Sequence, residues 1–159
     1  TGTDATLSGG VYLGGTGSAN YLDDYEEGTW SASIADNDSG GNVSSTTGLD
    51  ARYKKIGSLV WANVRFSNIS TAGLSSGNDI FVLGLPFSSR TGSGAAYPGT
   101  LWMQSNIYSG QIVPRLTGGA DWFRFSEIIS NAPQDFLTVG EVGNGSGDFE
   151  ITIWYETDA

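Results

Sequence analysis

The feature that most limits how this chain can fold is a two-residue rhythm of apolar side chains, set in short runs between glycine-rich turns. Across residues 59–66, Val60, Ala62, Val64 and Phe66 fall on one side, with Trp61, Asn63 and Arg65 on the other. Near the C-terminus Phe149, Ile151, Ile153 and Tyr155 alternate with Glu150, Thr152, Trp154 and Glu156. Successive side chains of a strand point to opposite faces, so each run describes a half-buried strand with one face toward a core. Further strands are expected over 29–35, 50–56, 79–85, 100–108, 111–116, 121–129 and 136–139, about nine in all. The segments 36–48, 70–78, 88–99 and 143–147 hold the Gly, Ser and Asn of connecting turns. No segment keeps a helical period, and no repeat of solenoid length occurs. The expected fold is all-β, an antiparallel β-sandwich of jelly-roll type.

Composition sharpens this reading. A length of 159 residues suits one domain with a core of its own. The 24 glycines and the scarcity of Lys and Arg, 7 together, count against helix. There is no cysteine, so stability must come from packing and neither a disulfide nor a thiolate metal site can form. The net charge of −10 repels a phosphate backbone, and only Arg52, Lys54 and Lys55 cluster, so nucleic acid is not an expected partner. No apolar run approaches the roughly 20 residues that span a bilayer, and membrane insertion is not expected. The start at Thr1 lacks the basic and apolar regions of a secretory leader, and the sequence reads as a piece of a longer chain. Residues 1–28 hold one short apolar piece (Val11, Tyr12, Leu13) and an acidic cluster (Asp23, Asp24, Glu26, Glu27). They read as a connector to a domain over 29–159.

Three patterns invite a chemical reading, and each has a plainer one. Gly73, Leu74, Ser75, Ser76 and Gly77 match a nucleophile elbow, but the chain has no histidine to take the serine proton, and a turn is expected. The acidic cluster offers carboxylates for glycoside hydrolysis, yet such groups must flank a bond from two sides. Crowded into one short segment, they are expected to meet Arg52, Lys54 and Lys55, within a chain or between chains, or to stay solvated. Asp36, Asn37 and Asp38 before Gly40 and Gly41 resemble the start of a calcium loop. However, Gly40 stands at the fifth ligand position and Thr47 replaces the bidentate Glu, which leaves a solvated turn. No cofactor or metal is expected. The aromatic residues Trp61, Trp102, Tyr108, Trp122 and Trp154 alternate with other apolar residues, so some rings must leave the core. Packing between subunits is the first reading for them, the core against a second sheet the next, and a platform for sugars the third.

Four strings occur in order: VYLGGTGSANYLDDYEEGTW, RYKKIGSLV, GLPF and ITIWYETD. In that combination the chain resembles a family of C-terminal domains found in tail fibres and other structural proteins of tailed phages and prophages. DDYEEGTW is the most specific piece, and the strings reach both ends of the chain. Where such relatives often continue the tryptophan with Thr-Pro-Thr, Trp30 is followed by Ser31, Ala32 and Ser33. The resemblance implies a virion protein: a homotrimeric β-domain at the tip or along the shaft of a tail or head fibre, with neither cofactor nor catalytic residue. Residues 88–131 carry none of the strings and suit a variable surface for a host glycan or protein receptor. There Tyr97, Trp102, Tyr108 and Trp122 are expected to stack on sugar rings, and Arg90, Arg115 and Arg124 to fork onto anionic groups. The competing reading is a carbohydrate-binding accessory domain or a depolymerase fragment of a carbohydrate-active enzyme.

Overall fold

The computed structural model describes residues 9–22, 24–36, 41–92, 94–107 and 110–158. A separate hairpin comes first, β1 (Val11–Tyr12) against β2 (Tyr21–Leu22). The other strands are β3 (Tyr25–Thr29), β4 (Ser33–Ala35), β5 (Val43–Thr47), β6 (Leu49–Ile56), β7 (Leu59–Ile69), β8 (Phe81–Leu83), β9 (Ala96–Gln104), β10 (Gln111–Thr117), β11 (Trp122–Ile128), β12 (Asp135–Phe136) and β13 (Gly147–Glu156). They pair antiparallel in the order β3-β6-β7-β13-β9-β10-β11-β8-β4-β5, with β12 added beside β11. Among the described residues the helical content is two 3-10 turns, Ser18–Asn20 and Val139–Glu141. Among the described residues no helix is long and apolar enough to cross a membrane.

The sheet curls into a sandwich because some chain segments serve both of its halves. In β9, residues 96–98 pair with β10 and residues 99–104 with β13. On the other side β3 and β6 pair in one half, while their continuations β4 and β5 pair in the other. The bend of this ribbon is held by Gly48 N–H donating to the Ala32 carbonyl (2.9 Å) and Trp30 N–H to that of Ala51 (3.1 Å). Glycine occupies both corners for lack of room. A Cβ on Gly48 would lie 2.7 Å from Ala32 Cβ and Val64 Cγ2, and one on Gly99 would lie 2.8 Å from the Thr152 carbonyl oxygen.

The core lies between the halves. On β7 and β13 the inward residues Val60, Ala62, Val64, Phe66, Phe149, Ile151, Ile153 and Tyr155 are at most 1% exposed, as their alternation requires. They meet Ile34, Val82, Leu116, Phe123 and Phe125 of the opposite half, and the rings of Phe125 and Phe149 come within 5.1 Å. Tyr155 keeps its hydroxyl satisfied by donating to the Phe87 carbonyl (2.9 Å), and burial pushes its phenol pKa up.

The structure departs from the expected strands in several places. β3 occupies 25–29, within the segment read as connector, and the run expected over 29–35 is strand only at Thr29 and over Ser33–Ala35. β5 lies in a segment read as loop, because Val-Ser-Ser-Thr-Thr holds a single large apolar residue; its Ser44 hydroxyl instead donates to the Ser70 carbonyl (2.7 Å). β7 runs beyond Phe66 to Ile69, past Asn68, whose φ of 52° shifts the alternation so that Ile69 is again buried. β9 begins at Ala96 rather than 100, its Pro-Gly pair having read as a break. Only Asp135–Phe136 are strand in the run expected over 136–139, which ends in the second 3-10 turn.

Candidate functional site

The strings DDYEEGTW and RYKKIG are neighbouring strands. β3 and β6 set Glu26 opposite Lys55, Glu27 opposite Lys54 and Gly28 opposite Tyr53. Opposite charges at facing positions favour this register. Lys55 is buried, bonded to Asp24, and lies 5.6 Å from the Phe87 ring centroid. Lys54 lies 3.7 Å from Glu27, which also accepts a bond from the Tyr25 hydroxyl (2.9 Å), while the Tyr53 hydroxyl donates to Glu26. Those bonds to carboxylates, more than partial desolvation, raise the Tyr25 and Tyr53 pKa values. The acidic residues described here are therefore partners of a basic strand in the same chain; Asp23 lies outside the described residues.

Beside this ladder lies an apolar groove on the outer face of the same half. Ile56 and Leu59 flank the turn between β6 and β7, and Trp61 on β7 is the register partner of Trp154 on β13. With the stem of Lys54 they line a concavity of about 320 Å³. Trp154 is 54% exposed and Ile56 51% exposed. A second concavity, of about 510 Å³, shares Lys54 and Trp61 and adds the polar groups of Glu27, Arg52 and Tyr53. Apolar side chains gathered on one exposed face form the kind of surface through which chains associate.

The residues nominated for host contact do not converge. Tyr97 turns inward and packs on Tyr155, their ring centroids 6.4 Å apart. Trp122 is half-buried edge-on against Phe81 at 5.1 Å. Arg124 stacks 3.5 Å from the Phe136 ring centroid and donates to Asp79 (3.1 Å), and Arg90 donates to Glu156 (3.1 Å). Trp102 is exposed, above a cleft where β9 and β10 part, and Tyr108 lies outside the described residues. Arg115 faces a concavity of about 480 Å³ on the outside of the second half, shared with Pro98, Val113, Ser126, Ile128 and Gln134. Among the described residues no carboxylate is paired with it.

The remaining patterns settle into local structure. The Asp36 carboxylate accepts from Asn42 N–H (2.8 Å), Asn42 Nδ2 (2.9 Å) and Ser75 N–H (2.7 Å). Burial works to raise its pKa, and these bonds outweigh burial and lower it. Residues 37–40 of the calcium-like pattern lie outside the described residues. Segment 73–77 is a turn, closed by Asn78 N–H donating to the Ser75 carbonyl (3.0 Å). Among the described residues, no three His, Cys, Asp or Glu gather to hold a metal ion. Sequence reasoning missed the groove because Trp61 and Trp154 meet only through the β7–β13 register. The one local signal was Ile56 and Leu59 on either side of a two-residue turn.

No family model, no curated protein and no solved structure matches the chain.

Proposed function

We propose that this protein is a non-enzymatic module of a tailed-phage virion fibre, assembling as a homotrimer and contacting a glycan of the host surface. The observation that carries the reading is the outer face of the first half: Ile56, Leu59 and Trp154 are exposed on strands whose opposite face packs into the core. Folding the chain leaves that face unused, which suits a protein built to associate. Asp24, Glu26 and Glu27 are engaged by Lys55, Tyr53 and Lys54, which favours a structural role for the acidic string over carboxylate catalysis. Arg115 in its concavity is the place for an anionic sugar, a guanidinium being suited to bind a carboxylate with two bonds.

Two measurements test this reading. Sedimentation equilibrium at moderate salt should give three times the chain mass of 16.7 kDa. Binding to polysaccharides that carry carboxylates should exceed binding to neutral ones, fall with Arg115→Ala, and proceed without new reducing ends. A species that stays monomeric removes the trimer, and sustained cleavage of the polysaccharide removes the non-enzymatic reading.

A further inference from the structure

The β1–β2 hairpin is the second place where apolar surface is left without a partner. Among the described residues its strands pair only with each other, Val11 with Leu22 and Tyr12 with Tyr21. The rings of Tyr12 and Tyr21 meet at 4.9 Å, and Leu13 N–H donates to the Asn20 carbonyl (2.8 Å). Yet Val11, Tyr12, Leu13 and Tyr21 are all exposed, Leu13 by 59%. A lone two-stranded hairpin is at best marginally stable in water, so this one needs a surface to lie on.

Charge and position indicate which surface. Every copy of the chain carries −10, so copies repel except where charge is absent locally. Residues 9–22 contain no charged side chain at all. The groove of Ile56, Leu59, Trp61 and Trp154 is apolar, with a lysine at its rim. The hairpin also leads directly into β3, whose first residue Tyr25 is the register partner of Ile56. Hairpin and groove therefore adjoin the same end of the sheet.

We infer that the β1–β2 hairpin of one copy packs into the Trp61–Trp154 groove of the next. Such a contact joins two different surfaces, and repeated around an axis it closes into a ring. The inference rests on the homotrimer reading above and adds to it the parts that meet.

The absence of native cysteine makes the test clean. Chains carrying Tyr12→Cys and chains carrying Leu59→Cys are co-expressed and treated with a short bis-maleimide. Circular dichroism confirms that each variant keeps its β fold, since both positions are exposed. The expected product is a covalent dimer containing one chain of each kind, absent when either variant is treated alone. The double variant in a single chain should give linked dimers and trimers. In parallel, Trp154→Asp should raise the dissociation constant of the assembly by at least about thirtyfold, the size expected for a central aromatic anchor. Links confined within single chains, or a trimer that persists by sedimentation with no link and no response to Trp154→Asp, would overturn the hairpin contact and leave the trimer standing. A protein monomeric at all concentrations would remove the trimer and this contact together.

Discussion

Trp61 and Trp154 face each other across β7 and β13, ring centroids 6.4 Å apart and planes inclined at 59°. Their neighbours along the strands, Ala62 and Ile153, are buried, so the pair stands on the outer face of the sheet. Trp154→Ala should accordingly change the unfolding free energy of the isolated chain by no more than about 1 kcal/mol. Urea unfolding at low protein concentration reads this. A loss of several kcal/mol would mean that the ring supports the core.

Ile151 lies on the other side of β13 and is 1% exposed. Ile151→Asn removes apolar contacts and buries an amide with no partner, which should cost about 3 kcal/mol or more. Glu150→Gln, on the exposed face, should leave the urea midpoint nearly unchanged. Equal effects of the two substitutions would contradict the facing of β13.

Asp36 ties the β4–β5 connection to the turn at Ser75. Its folded pKa is lowered, so the unfolded state binds the proton more readily and stability rises with pH through that range. The contribution is complete above the unfolded value of about 3.9 and fades as pH falls through the folded one. Asp36→Asn should cost about 1–3 kcal/mol at neutral pH, because one acceptor oxygen becomes a donor facing donors. Its deficit against the native chain should shrink below about pH 4. A deficit constant from neutral pH to pH 2 would show that the charge is not involved.

Lys55 is buried while its partner Asp24 is partly exposed. Asp24→Ala leaves a buried ammonium without its carboxylate, whereas Lys55→Met removes the charge and keeps the packing over Phe87. Breaking such a pair from one side costs more than replacing the charge by apolar bulk. Asp24→Ala should therefore be the more destabilising, by about 1–2 kcal/mol after allowance for the exposure of Asp24. The reverse order in thermal or urea unfolding would refute the pairing.

Gly48 and Gly77 separate a corner from an open turn. A Cβ at Gly48 meets Ala32 and Val64 at 2.7 Å, whereas one at Gly77 meets nothing within 4 Å. Gly48→Ala should cost about 1–3 kcal/mol by overpacking, and Gly77→Ala should stay within about 0.5 kcal/mol of the native chain. Similar costs at both sites would remove the steric account of the bend.

Much of the core was legible because a strand has only two faces. Once Val60, Val64, Phe66, Ile151 and Ile153 are seen to recur at every second position, their common direction follows without any knowledge of partners. The same rule applied to residues 96–104 places Tyr97 with Leu101 and Met103, opposite Trp102. Pro98 and Gly99 hid that run, and with it the inward turn of Tyr97. β5 was hidden for a different reason: it is held by its pairing with β4 and by hydrogen bonds to Ser70, and polar strands leave no apolar rhythm to read.

The sequence alone determined the class of fold and the sides of its longest strands, because both depend on spacing within a few residues. It also placed complementary charges in two strings, Asp24 to Glu27 and Arg52 to Lys55, and suggested that they meet, without deciding between contact within one chain, contact between chains and solvation. Which strands pair, where the sheet turns its corners at Gly48 and Gly99, and which aromatic rings stay in solvent were decided only by tertiary structure. Those outcomes rest on contacts between residues far apart in the chain: Trp61 meets Trp154 through the pairing of β7 with β13, and Tyr97 is covered by Tyr155. Local rhythm orients a side chain toward or away from its own sheet, and only the packing of distant strands determines whether anything covers it.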